Sequence, residues 1–326
     1  MCWISLVTTC TSWIVPLASC PGRWPSMMIC CTLQTNRIAN KLPCDRHDLR
    51  PANTKRKRMK QPWFWVWGLM LALLAGHALA DERDDKIARL LNLAGAEELI
   101  SGLADSVIAG LEQAQQSAQG EDAERGEVML HVAKESFLPE VIYQQVFEAV
   151  SVALQDDQLE TLLLWYQSPL GKRITEMEVE AASPASGQAM MQNATALLSN
   201  QPMMEKAAQF DALLHLTDYN MALQKRMFIA AQLHVRTLHN PDQPADSREL
   251  AALFEPRRAM FTEQTRNMVM LSFAHTYREL PPEKLESYLD FLSTPSARQF
   301  NEATRMGLEA GLDLVFEDYI AGLAEL

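Results

Sequence analysis

Beyond Ala80 the chain contains no cysteine, since all six (Cys2, Cys10, Cys20, Cys30, Cys31, Cys44) come earlier. That excludes a disulfide scaffold, a thiol enzyme and a cysteine-ligated zinc site from residues 81–326. Tryptophan is nearly absent as well: Trp165 is the single one of seven that follows Ala80. Basic charge is scarce in the same stretch. Residues 1–80 carry 10 of the 29 Lys+Arg and only 2 of the 41 Asp+Glu, which leaves 19 basic and 39 acidic residues in 81–326, a net charge of −20. So acidic a surface excludes phosphate-backbone binding as its main business, and no nucleic-acid partner is expected. Glycine and proline are sparse there too, ten of each, and alternating β-branched runs are lacking. What dominates is Ala, Leu, Glu, Gln and Met, residues that lose little freedom in a helix, so an all-α fold is expected.

The compositional break has its own signature. Trp63 to Gly76 is an unbroken apolar run, preceded by Lys55-Arg56-Lys57-Arg58-Met59-Lys60 and followed by Ala78-Leu79-Ala80 and the acidic Asp81-Glu82. A cationic start, an apolar middle and a small-x-small end make a secretory signal peptide over 59–80, cleaved between Ala80 and Asp81. With no cysteine after the run, lipoprotein processing is excluded. The expected location is periplasmic or secreted; the alternative is an inner-membrane anchor through residues 63–80, the only part expected to meet a membrane. Residues 1–58 are expected to form no domain, as a leader upstream of the true start at Met59. Their cysteines have none of the paired spacing that zinc requires.

In 81–326, apolar residues recur at helical spacing, as in Phe210, Leu213, Leu214, Met221, Phe228 and Val235, and again in Leu312, Val315, Phe316, Tyr319, Ile320 and Leu323. Breaks are expected at Gln119–Gly126, Ala181–Gly187, Ser199–Pro202 and His239–Ser247. About eight to ten helices follow. They are expected in two related lobes, 81–200 and 201–326, packed as bundles.

The relation between the lobes is a recurrence at an offset of 126. Gln158 to Ile174 aligns without gaps onto Lys284 to Phe300. Leu159/Leu285, Glu160/Glu286, Leu163/Leu289 and Pro169/Pro295 are identical, while Trp165/Phe291, Ser168/Thr294 and Gly171/Ala297 are conservative. Leu159, Leu162, Leu163 and Tyr166, like Leu285, Tyr288, Leu289 and Leu292, fall at i, i+3, i+4, i+7, which predicts a short helix with one buried face. Ser168 and Thr294 are placed to cap the following helix, with Pro169 and Pro295 at its first position. Longer helices precede each unit, around Leu138–Leu154 and Leu250–Leu280, the second containing Pro256. Trp165 and Phe291 are expected to be equivalent and largely buried.

The sequence Trp165-Tyr166-Gln167-Ser168-Pro169-Leu170-Gly171-Lys172, downstream of a signal peptide in an all-helical chain, resembles the bacterial exported family called domain of unknown function 2059. The second copy, from Phe291 to Arg298, is a degenerate version. The resemblance implies a periplasmic helical protein and carries no activity with it.

No constellation for catalysis or metal binding stands out. Five histidines follow Ala80, with Glu127/His131 and Asp211/His215 at i, i+4, but neither Glu-x-x-His pairs nor His-Glu-x-x-His occur. The methionines, Met190-Met191 and Met203-Met204 among them, read as core fillers before copper ligands. Glu176, Glu178 and Glu180 alternate along one helix and read as a solvated face. Neither a metal nor a cofactor is expected, and no enzymatic activity. The expected function is an exported binding or interaction module for an unidentified protein; the alternative is a carrier holding a small apolar ligand between the corners at Trp165/Tyr166 and Tyr288/Phe291.

Overall fold

The computed structural model describes residues 82–117, 121–239 and 247–324, and these are α-helical almost throughout, with no strand among them. The leader, the apolar run, the Ala80–Asp81 junction and the His239–Ser247 break lie outside the described residues. In chain order the helices are α1 (82–93), α2 (Ala96–Ser117), α3 (Glu121–Ser136), α4 (Pro139–Ala153), α5 (Asp156–Gln167), α6 (Pro169–Ala181), α7 (Pro184–Gln192) and α8 (Ala194–Leu198). They continue as α9 (Gln201–Leu214), α10 (Leu216–His239), α11 (Ser247–Phe254), α12 (Arg258–Thr276), α13 (Pro282–Leu292) and α14 (Pro295–Ala324). The helices are shorter and more numerous than expected. Proline explains most of the extra ends: Pro139, Pro169, Pro184, Pro202 and Pro282 each sit in a first turn, where the missing N–H costs nothing. Pro256 likewise divides the expected long helix, sitting in a 3₁₀ turn, Glu255–Arg257, between α11 and α12.

Two expected breaks are shorter than the sequence suggested, since α3 has already begun at Glu121 and α7 at Pro184. Gly126 and Gly187 lie inside α3 and α7 rather than between helices. A single glycine lowers helix propensity by about 1 kcal/mol, which neighbours override. By contrast, α9 ends at His215, which adopts the left-handed conformation at φ 53°. Asp211 does not pair with His215 as its spacing suggested; its carboxylate accepts from the Thr217 amide at 2.8 Å and hydroxyl at 2.7 Å, tying α9 to the start of α10.

The hydrophobic core runs without a gap across residue 200, joining residues from Ile87 to Leu323. The last helix, α14, lies along α4. Its Gly307 and Gly311 make this possible: a Cβ at Gly307 would stand 2.5 Å from the Cα of Val146, and one at Gly311 2.7 Å from the Cα of Ile142. Only bare backbone fits so close to another helix. Ile142, Val146 and Val150, at i, i+4, i+8 and fully buried, form the facing stripe of α4. Further along α14, Phe316 meets Phe137 edge-on at 5.0 Å. The other end of α4 is closed by Arg83 of α1, whose guanidinium donates to the carbonyl oxygens of Ser151 (3.0 Å) and Leu154 (2.7 Å) and to Asp156 (3.0 Å). These are the terminal carbonyls a helix cannot satisfy by itself.

Candidate functional site

Both copies of the recurring segment form the same local structure. In α5, Leu159, Leu162, Leu163 and Tyr166 are buried; in α13, Leu285, Tyr288, Leu289, Phe291 and Leu292 are. Ser168 Oγ accepts from the amide of Gly171 at 3.0 Å, and Thr294 Oγ1 from that of Ala297 at 3.3 Å. Pro169 opens α6 and Pro295 opens α14. The corner at Ser168 is the tighter. A Cβ at Gly171 would lie 2.3 Å from the Trp165 carbonyl oxygen and 2.9 Å from the Tyr166 Cα.

The two corners meet. Trp165 and Phe291 stack face to face, with centroids 3.8 Å apart and planes 6° from parallel. Tyr288 lies beside Trp165 at 5.5 Å, and Tyr166 abuts Phe291 and Phe300 edge-on, each at 5.9 Å. Offset and edge-on pairs of this kind add ~0.5–1.5 kcal/mol each beyond the area they bury. With Trp165 and Phe291 in direct contact, no slot remains between those two rings. The equivalence of the two is incomplete: Phe291 is buried at 8 % exposure, whereas Trp165 is only half-buried. Next to it, Leu164 is 73 % exposed. At the equivalent place in α13 stands Asp290, also exposed.

Behind the stack lies a buried carboxylate. Glu178 of α6 is 1 % exposed, and its Oε1 accepts from the hydroxyls of Tyr277 at 2.5 Å and Tyr288 at 2.7 Å. Burial pushes its pKa up from the usual carboxylate value, against the lowering effect of the two tyrosine hydrogen bonds. Burial, and then the nearby Glu178, push the Tyr166 phenol upward. The solvated reading of Glu178 is therefore corrected, while Glu176 and Glu180 are exposed as expected. Alternation along the chain was the wrong period to apply. On a helix, Glu178 is four residues after Ile174 and three before Ala181, both buried, so it continues their stripe. Its partners Tyr277 and Tyr288 come from α12's end and α13, so the carboxylate ties the first corner to the second.

Of the histidines read from sequence, His131 and His215 have acidic neighbours three or four residues on. His131 is exposed and faces Glu135 at 3.5 Å, not Glu127. His215 ends α9, His275 is buried at 5 % exposure, and the side chains of His234 and His239 lie outside the described residues. Met221 is buried and accepts a hydrogen bond from Thr265 at 3.5 Å. Among the described residues no group of three or more His, Cys, Asp or Glu gathers as a metal site, and no helix is long and apolar enough to cross a membrane.

The class defined by this geometry is an all-α protein built around two apposed proline corners. Residues 143–209 match the family described as "Uncharacterized protein conserved in bacteria (DUF2059)". That stretch takes in most of α4, the Trp165 corner, Glu178 and most of α9, and leaves the Phe291 corner outside it. No curated protein and no solved structure matches the chain.

Proposed function

We propose that the protein is exported to the periplasm through residues 59–80 and serves there as an interaction module, with the Trp165 corner as its contact surface. The observation that carries this reading is the exposed Leu164 beside the half-buried Trp165, on a corner whose interior is already filled by stacked rings. Exposed apolar side chains on a rigid frame, centred on a tryptophan, have the make-up of interface hot spots. A filled aromatic stack favours a protein partner over a small ligand lodged between the corners. The net charge of −20 in 81–326 suits a partner with a cationic rim around an apolar centre. Crosslinking in the native host, followed by recovery of the protein with its partner, tests the reading: a specific adduct that disappears in Trp165→Ala supports it, and recovery of the protein uncrosslinked in every envelope fraction contradicts it. The intact mass of the protein recovered in the same way tests export, with an N-terminus at Asp81 expected.

A further inference from the structure

One pair of side chains lies apart from the aromatic corners. Ser186, in the first turn of α7, has its Oγ 2.9 Å from Nε2 of His275 at the end of α12. The turn is held by Ser183, whose Oγ accepts the Ser186 amide at 3.3 Å, with Pro184 opening the helix. Nε2 also faces Nη1 of Arg278 at 3.4 Å. A guanidinium can only donate, and with Nη1 already given to the His275 carbonyl at 2.6 Å its approach to Nε2 favours the tautomer with the lone pair on Nε2 and the proton on Nδ1. The Ser186 hydroxyl then donates to Nε2. This is the ground-state arrangement of a serine poised to lose its proton to a base. Burial of the ring, and then Arg278, hold its pKa below the usual histidine value, so it is neutral and able to accept at pH 7. Nδ1 is buried and unpartnered, so no carboxylate supports the ring.

Ser186 also lines an opening. A cleft of about 40 Å³ is walled by Arg173, Met177 and Glu180 of α6, by Ser186, and by Arg278 and Glu279 after α12. That volume suits a short acyl group whose alcohol part stays in solvent. The guanidinium groups of Arg173 and Arg278 stand on the same walls; Arg173 lies 3.5 Å from Glu176, and Arg278 donates to the His275 carbonyl at 2.6 Å and faces Glu279 at 3.4 Å, so a developing oxyanion would draw on their remaining N–H groups.

We propose that Ser186 is a nucleophile activated by His275, acting on small carboxylic esters at this cleft. Oγ bonds to the ester carbonyl carbon, the hydroxyl proton passes to Nε2, and the carbon–alkoxide bond breaks as that proton moves to the departing alcohol. Water then attacks the acyl-serine through the same base, releasing the acid and restoring the hydroxyl. Without a carboxylate behind Nδ1, turnover is slower than in a full triad.

The full chain, treated with a biotinylated fluorophosphonate and mapped by peptide mass, tests this. Label is expected on Ser186, absent in Ser186→Ala, unchanged when the exposed Ser287 of α13 is replaced in Ser287→Ala, and at least tenfold slower in His275→Gln with its helical signal intact. An unlabelled Ser186, or labelling indifferent to His275→Gln, overturns the proposal. Should His275→Gln lose its helical signal, the wild-type labelling rate against pH decides. A sigmoid with a midpoint below 6.5 is expected from a ring flanked by Arg278 and Glu180, with Arg173 and Glu279 on the cleft beside it; a flat profile overturns it.

Discussion

The two corners repeat one turn with different residues, and the differences separate what the turn needs from what its surface does. Both use a hydroxyl cap and a proline, so those belong to the turn. Gly171 allows α6 to press against the end of α5 more closely than a methyl permits, while Ala297, 1 % exposed, shows that the second corner has room for one. Leu164 and half-buried Trp165 face outward on the first corner; Asp290 and buried Phe291 stand in their places on the second. The second corner is therefore core, and the first is core with an apolar surface left open.

Substitution at the tight glycine should break the comparison most sharply. Gly171→Val meets backbone that cannot yield, and a loss of ~4 kcal/mol or more, the range reserved for severe core damage, is expected in denaturant melts. Ala297→Val, at a buried position that already accommodates a Cβ, should cost ~1–3 kcal/mol. The aromatic pair comes next. Phe291→Ala should cost ~3–5 kcal/mol as a buried ring. Trp165→Ala should cost less, about 2 kcal/mol, because part of the indole already meets water. Equal losses would mean that the two rings are equivalent and would remove the reason for assigning them different roles. Ser168→Ala and Thr294→Ala should each cost ~1 kcal/mol, the usual value of a lost cap.

The smallest effect is one of pH. Glu178 has a folded-state pKa raised above its ordinary 4.5. The folded protein holds that proton to higher pH than the unfolded chain, so this contribution to stability is full below about 4.5 and declines as pH rises through the folded value. Glu178→Gln keeps an acceptor for Tyr277 and Tyr288 but has no proton to lose. Melts from pH 4 to 8 should show a shallower decline in the variant, and parallel curves would contradict the buried reading.

Helix class, the buried stripes of α5 and α13, and both corners were legible in the sequence because each depends on local spacing: i, i+3, i+4 apolar contacts, a hydroxyl, a proline. The meeting of Trp165 with Phe291 was not, because it joins residues 126 apart and no local rule fixes which corner a corner packs against. The approach of α14 to α4 was hidden for the same reason, although Gly307 and Gly311, one turn apart with Ala303 before them, are the kind of bare strip that a close crossing uses. Glu178 was misread for a different reason. Its charge suggested solvent, while its register with Ile174 and Ala181 placed it inside, and register prevails once tyrosine hydroxyls satisfy the carboxylate. Ser186 and His275 carry no shared motif, so only the fold brings them together.

The central claim, that the first corner is a contact surface and the second is not, is tested most directly by placing a photo-crosslinking residue at Leu164 and, separately, at Asp290, in the native host. A discrete adduct is predicted from position 164 that vanishes in Trp165→Ala, with none from position 290; the same adducts from both positions, or none from 164, would contradict it.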